Sequence, residues 1–321
     1  MRFLLLLSFL SFFSLSFTNA QGFGSAVEYI EYFNKEFTLM QEMQIEYSSF
    51  LAHTGTEAAE IKRQSLLASS QKIHDRFANL KAFDNDKGIK SNAVKVLDIM
   101  LILGNNNYTA TAKEKAGCLD CFEAILIETE LVDKDVSKLG KAMSTMVKSI
   151  EDFAKANEIQ MTDDGDSHET LLGKINRINN YLQELNLATL EVQYADAAIV
   201  NALNQKNPSK AKEEVKNMVK AANNASKRLK KIERIKEDAT AIGQAEKLVD
   251  FYKDASKKLY PDMVSAFDKK GNVINEKVDL YNKSIQKLTK SAGTLTMKYE
   301  TAKLNLQQRH IPKPKEKTIR S

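Results

Sequence analysis

Between residues 25 and 310 the apolar positions recur at alternating steps of three and four, the spacing that gathers side chains on one face of an α-helix. One run is Leu171, Ile175, Ile178, Leu182, Leu185, Ala188, Val192, Ala195 and Ile199. Others are Ala211, Val215, Met218, Ala222, Ala225, Leu229 and Ile232, then Val132, Val136, Leu139, Met143, Met146, Ile150 and Phe153. A fourth is Val278, Tyr281, Ile285, Leu288, Ala292, Leu295, Tyr299 and Ala302. A seven-residue repeat held this long implies helices packed at shallow angles, as in bundles and coiled coils. Polar residues fill the remaining faces, so each helix needs partners on one side only. The pattern predicts an all-α fold of about eight long antiparallel helices.

Several helix ends are written in the local chemistry. Thr54-Gly55-Thr56-Glu57 separates a first helix (about 25–53) from a second (about 57–82), and Asp84 to Gly88 reads as a turn. Asn207-Pro208 suits the first turn of a helix. Asp268 to Asn272 is expected to open the last helix. The stretch from Asn157 to Ser167 carries no period, and Asp166 with Glu169 fits a cap and capping-box partner for the next helix.

The two sides of that break resemble each other. Sliding the chain by 152 residues lays Ala59, Leu66, Leu67, Phe77, Leu80 and Phe83 over Ala211, Met218, Val219, Leu229, Ile232 and Ile235. The same shift pairs Arg76 with Arg228, Asp86 with Asp238, Ala93 with Ala245, Asp98 with Asp250 and Tyr108 with Tyr260. The expected organisation is two tandem four-helix-bundle-like halves from an internal duplication, residues 21–160 and 161–310. A continuous helical array or an elongated rod would satisfy the same periodicity.

Composition narrows the picture. Two cysteines in 321 residues exclude a disulfide-framed secreted module, and 43% hydrophobic content excludes wholesale disorder. Twelve Gly and four Pro are too few for a turn-rich β protein. A net charge of +5 is close to neutral for this length and does not indicate nucleic acid as a partner.

Residues 1–20 read as a secretory signal peptide: Arg2, an apolar run from Leu4 to Phe17, then Thr18-Asn19-Ala20 with cleavage after Ala20. Elsewhere the longest apolar stretch, Val96 to Leu103, is broken by Asp98, so no transmembrane helix is expected in the mature chain. The expectation is an exported protein, in the periplasm, on the cell surface or secreted, with residues 311–321 as a basic disordered tail.

Candidate chemistry is sparse. Cys118 and Cys121, spaced as in redox motifs, form a possible disulfide or thiol pair, but they read as lying within a helix and without a preceding strand. His53, His74, His168 and His310 are scattered and match no metal-ligand spacing. Asp163, Asp164, Asp166 and Glu169 form an acidic loop without the alternating ligand order of a calcium-binding loop. No phosphate-binding loop or nucleophile elbow occurs, and no cofactor is implied. The segment from Lys210 to Lys236 holds ten Lys or Arg against three Glu. Its densest part, with Lys227, Arg228, Lys230, Lys231 and Arg234, is a possible basic contact face for an anionic surface component or an envelope protein.

Three helical stretches carry a family resemblance: Tyr29-Ile30-Glu31-Tyr32-Phe33-Asn34, the junction Ala154 to Ile159 leading into Lys174 to Tyr181, and Leu248 to Asp254. Together they resemble a family of exported helical "surface protein" chains of Bacteroidetes and spirochaetes whose function is not established. The resemblance implies a bacterial cell-envelope protein and brings no catalytic residues. The expected role is a non-enzymatic helical scaffold or binding module. A thiol-redox protein using Cys118 and Cys121, and a membrane-active helical protein, are the alternatives.

Overall fold

The computed structural model of the chain describes residues 23–106, 108–117, 121–161, 169–238 and 240–315. The leader segment, Cys118, the acidic residues 163, 164 and 166 and the end of the basic tail lie outside them.

Among the described residues the fold is all-α. The helices are α1 (Ala26–His53), α2 (Thr56–Asn79), α3 (Ile89–Asn105), α4 (Tyr108–Ala116), α5 (Phe122–Ala156), α6 (Leu171–Asn204), α7 (Pro208–Lys231), α8 (Ala241–Ala255), α9 (Leu259–Ser265) and α10 (Val278–His310). A 3-10 turn, Asn275–Lys277, precedes α10, and an antiparallel bridge joins Phe267 to Val273. α4 and α9 are the short helices; the others run from 15 to 35 residues.

Capping side chains fix where helices begin. Ser25 Oγ accepts the Glu28 amide at 3.2 Å ahead of α1, and Asn207 Oδ1 accepts the Lys210 amide at 3.0 Å with Pro208 opening α7. α6 starts from Thr170, whose Oγ1 accepts the Gly173 amide at 3.1 Å. Glu169, expected in a capping box, instead binds Arg177 through two bonds of 2.8 and 2.6 Å. α2 stops at Asn79 rather than near residue 82, because Leu80 turns to ψ 138° and the chain carries Leu80 and Phe83 onto the core. The residues expected to open the last helix form a closed turn: Asp268 Oδ1 accepts the Lys270 and Asn272 amides at 2.8 and 2.9 Å, and α10 begins six residues past Asn272.

The chain divides into two compact units, 1–177 with 311–321, and 178–310, so the division falls inside α6. In the first unit α1 and α2 are antiparallel, since Glu46 meets Lys62 and Glu36 meets Arg76 as one helix rises and the other descends. Arg63 to the Gly104 carbonyl and His74 to Asp98 set α3 antiparallel to α2. Asn92 to Ser149 then sets α5 against α3. The core is aromatic: Tyr29, Phe33, Phe37, Phe77 and Phe153 are fully buried, with Phe33 and Phe77 ring centroids 4.5 Å apart. Ile311, expected in a disordered tail, is 3% exposed and packs with Ala52 and Ile175, while His53 Nε2 lies 2.9 Å from the Ile311 carbonyl.

In the second unit Asn224 meets Glu191 between α7 and α6, and α10 returns along α6 through Tyr299 and Lys303 to Asn186 and Gln307 to Asn179. Its core is mainly aliphatic, with Leu185, Met218, Leu229, Leu248 and Met263 buried beside Tyr260 and Tyr299. Helices of the two units keep a fixed register. α7 begins and ends 152 residues after α2, and α8 begins 152 residues after α3. α10 begins 156 residues after α5, and twelve residues separate it from α9 where five separate α5 from α4.

Candidate functional site

The basic helix is α7, and the structure sorts its charges. Lys227, Lys230 and Lys231 are exposed, as expected for a contact face. Arg234 is exposed but spends its charge on Glu246 at 3.3 Å. Arg228 does not belong to the face: it is half-buried beside Glu191, whose carboxyl is pushed up by burial against the opposing effects of Asn224 and Arg228.

Three further lysines join the outer face. At 3.6 residues per turn, Lys212, Lys216, Lys220, Lys227, Lys230 and Lys231 fall within an arc of about 100°, over a length of about 28 Å. All six are exposed, and none has an ion-pair partner among the described residues. Asn223 lies in the same row. Charge density marked the whole segment from Lys210 to Lys236 but named only residues within 227–234; counting exposed positions at four-residue steps from Lys212 would have placed the rest on the face.

The positions 152 residues earlier provide an internal control. On α2 they hold Glu60, Gln64, Ala68, Asp75, Ala78 and Asn79, with no lysine among them. Both helices have 24 residues and bury the matched positions Ala59/Ala211, Leu66/Met218 and Phe77/Leu229. A helix in this setting therefore needs no lysine stripe to form. Lysines near a helix C-terminus complement the helix dipole, which accounts for Lys230 and Lys231 in the last turn of α7. Lys212, Lys216 and Lys220 lie away from that end, and like charges at four-residue spacing cost about 0.2–0.5 kcal/mol per pair. Stability does not account for them.

Cys121 lies at an end of a helix rather than within one: it caps α5, its Sγ accepting the Ala124 amide at 3.4 Å, and it is disulfide-bonded. α4, not a strand, precedes it. Cys118, the other cysteine of the chain, lies outside the described residues.

The described histidines do not converge. His53 bonds the Ile311 carbonyl, and His74 sits between Asp75 and Asp98, each at 3.0 Å, where it joins α2 to α3. His168 lies outside the described residues. Among those residues no group of three His, Cys, Asp or Glu side chains could hold a metal ion. No helix described is long and apolar enough to cross a membrane.

Two buried polar constellations escaped the sequence reading. Tyr29 donates to Asp86 at 3.1 Å and Tyr181 donates to Asp238 at 2.6 Å, each pair 57 residues apart. Both aspartates also hold the start of the next helix. Asp86 accepts the amides of Gly88 and Lys90, while Asp238 accepts those of Thr240, Ala241 and Ile242. The signal was available, since Tyr29 and Tyr181 share the 152-residue offset of Asp86 and Asp238. The second constellation is Asp196, which accepts the Tyr260 hydroxyl at 2.5 Å and also bonds Tyr252. Burial pushes Asp196 above the ordinary carboxylate range, and burial beside it pushes both tyrosines far up. A phenol held this firmly protonated is a donor, not a nucleophile, so both constellations join helices.

The fold and its exposed chemistry define an all-helical protein with two compact units and a lysine row on one helix of the second. No protein-family model matches the chain, and no curated protein or solved structure matches it significantly.

Proposed function

We propose that the chain is a non-enzymatic, exported helical protein of the bacterial cell envelope, built from a duplicated unit and acting as a scaffold or binding module. Its contact surface is the outer face of α7, and its partner there is an anionic envelope component. The observation that carries this reading is the lysine row at Lys212, Lys216 and Lys220, which α2 lacks at the matched positions.

The duplication is supported by the register of 152 residues through α2/α7 and α3/α8 and by the repeated Tyr–Asp cap. The added length before α10 falls in a loop, where insertions are tolerated best. Export is supported by the leader-like first twenty residues and by a disulfide at Cys121, a bond that persists in oxidising compartments. The resemblance to exported "surface protein" chains agrees with both.

Sedimentation with envelope fragments tests the reading. The intact chain is expected to pellet with them at low salt and to be released as ionic strength rises. Reversal of three charges, K212E/K216E/K220E, is expected to abolish pelleting. Equal pelleting of the two proteins would remove α7 as the contact surface.

A further inference from the structure

The lysine row also carries information about the shape and chemistry of what it holds. Resting on the contact-face reading above, we infer that the ligand of α7 is a linear anionic polysaccharide, lying along the helix with sulfate or carboxylate groups over Lys212, Lys216, Lys220, Lys227, Lys230 and Lys231.

Dimensions come first. Lys212, Lys216 and Lys220 are spaced about 6 Å apart along the axis, Lys227 follows after about 10 Å with Lys230 and Lys231 close beyond it, and the row is one helix wide. A narrow line of point charges on a convex surface matches an extended polymer better than a plane. A bilayer surface would be met by a broad basic patch or by an apolar face that inserts among the lipids. The apolar face of α7 is occupied in the core, where Ala211, Met218, Ala222, Ala225 and Leu229 are buried. Val219 is the one large apolar side chain of α7 that stands exposed.

The type of charge separates polysaccharide from nucleic acid. Grooves for single strands combine basic groups with aromatic side chains on which bases stack. The row contains neither an aromatic residue nor an arginine. Its members are lysine ammonium groups, three-donor point charges, with Asn223 exposed between Lys220 and Lys227 and one acidic side chain, Glu213, exposed at the edge of the arc. An amide that both donates and accepts complements sugar hydroxyls.

The exchange that tests this uses residues the fold already accepts at the matched positions of α2. In the full chain the variant K212E/K216Q/K220A/K227D/K230A/K231N gives α7 the α2 residues. The probes are size-graded dextran sulfate and polygalacturonate fragments, vesicles of phosphatidylglycerol with phosphatidylcholine, and duplex DNA, all at one ionic strength. The intact chain is expected to bind the polysaccharide fragments more tightly than the vesicles or DNA. Affinity should rise with fragment length until the fragment spans about 28 Å, the length of the row. The six-site variant should lose at least tenfold in affinity while keeping its helical content. If that variant does not fold, K216A/K220A carries the same test with a smaller loss, since alanine favours the helix. Length-independent binding, or unchanged affinity in the variants, overturns the inference. Tighter binding to vesicles or DNA that the variants lose also overturns it, yet leaves α7 as the contact face. Absence of binding to every probe at low salt overturns both.

Discussion

Asp238 accepts four hydrogen bonds, from the Tyr181 hydroxyl and from the amides of Thr240, Ala241 and Ile242. Burial works to raise its pKa, but these donors outweigh burial and hold the carboxyl below its ordinary range. A carboxyl depressed on folding stabilises the native state above its unfolded pKa of about 3.9, and that contribution disappears as the pH falls through the folded value. Asp238→Ala should therefore cost about 2–3 kcal/mol at neutral pH, the loss of a charged cap and its tyrosine partner, and the deficit should shrink in acid. Denaturant unfolding at neutral and acid pH measures it, and hydrogen exchange should speed up at residues 240–242. Asp196 has the opposite sign. Its carboxyl is raised, so it favours the fold below the unfolded pKa and does so less as the pH climbs through the folded value. Asp196→Asn should make the second unit's stability flatter with pH and no lower at neutrality. A variant that unfolds more readily at pH 7 than the parent would refute this assignment. Asp238 could have been singled out beforehand, through the offset it shares with Asp86 and the two tyrosines, whereas a lone Asp196 on a helix face says nothing about which hydroxyl folds back onto it.

Helices were the most legible part of the chain. The three-and-four periodicity marked the buried faces of α5, α6 and α7, and Asn207-Pro208 marked the start of α7, because both signals are local. Where distant packing decided, sequence reasoning missed. Leu80 leaves α2 to pack on the core beyond it, and α5 takes Cys121 as its cap although Asp120 beside it, with Glu123 three residues on, is the more usual capping type. The loop before α10 shows the same limit at Gly271. Its φ is +84°, and a Cβ placed there would overlap the Lys206 carbonyl oxygen, a backbone atom that cannot swing aside. Gly55 has φ +92° with nothing within 4 Å of its Cβ position. Gly55→Ala should therefore cost only its backbone strain, about 1–3 kcal/mol, while Gly271→Ala adds an overlap with backbone to its own strain and should cost more, about 3 kcal/mol or above. Thermal unfolding of the two variants side by side checks the order. Equal losses would mean that the loop moves freely away from residues 205–207.

A break in hydrophobic period is a signal about local chain conformation, whereas a unit boundary is a statement about which residues share a core. That difference explains why the aperiodic stretch at 157–167 suggested a division while the structure divides inside α6, between Arg177 and Ile178. The helix ladder runs on through that point, and only the packing partners change. The same reasoning applies after α10, where a basic, proline-containing end suggested a solvated tail. Ile311 is apolar in polar company, too short a signal to read alone, yet it closes a cluster with Ala52 and Ile175 in the first unit. The side chain is nearly fully buried, so Ile311→Ala should cost about 2–4 kcal/mol, the range for removing a buried aliphatic side chain and leaving a cavity. The loss should be felt in the first unit, 258 residues away in sequence at His53, whose ring bonds the Ile311 carbonyl. Hydrogen exchange on the full chain separates the units. Protection should fall at the C-terminal turns of α1 and stay unchanged in α7 and α8, whose core shares no residue with that cluster. Loss of protection confined to α10 would instead make residue 311 a simple extension of that helix and would return the segment after His310 to the second unit.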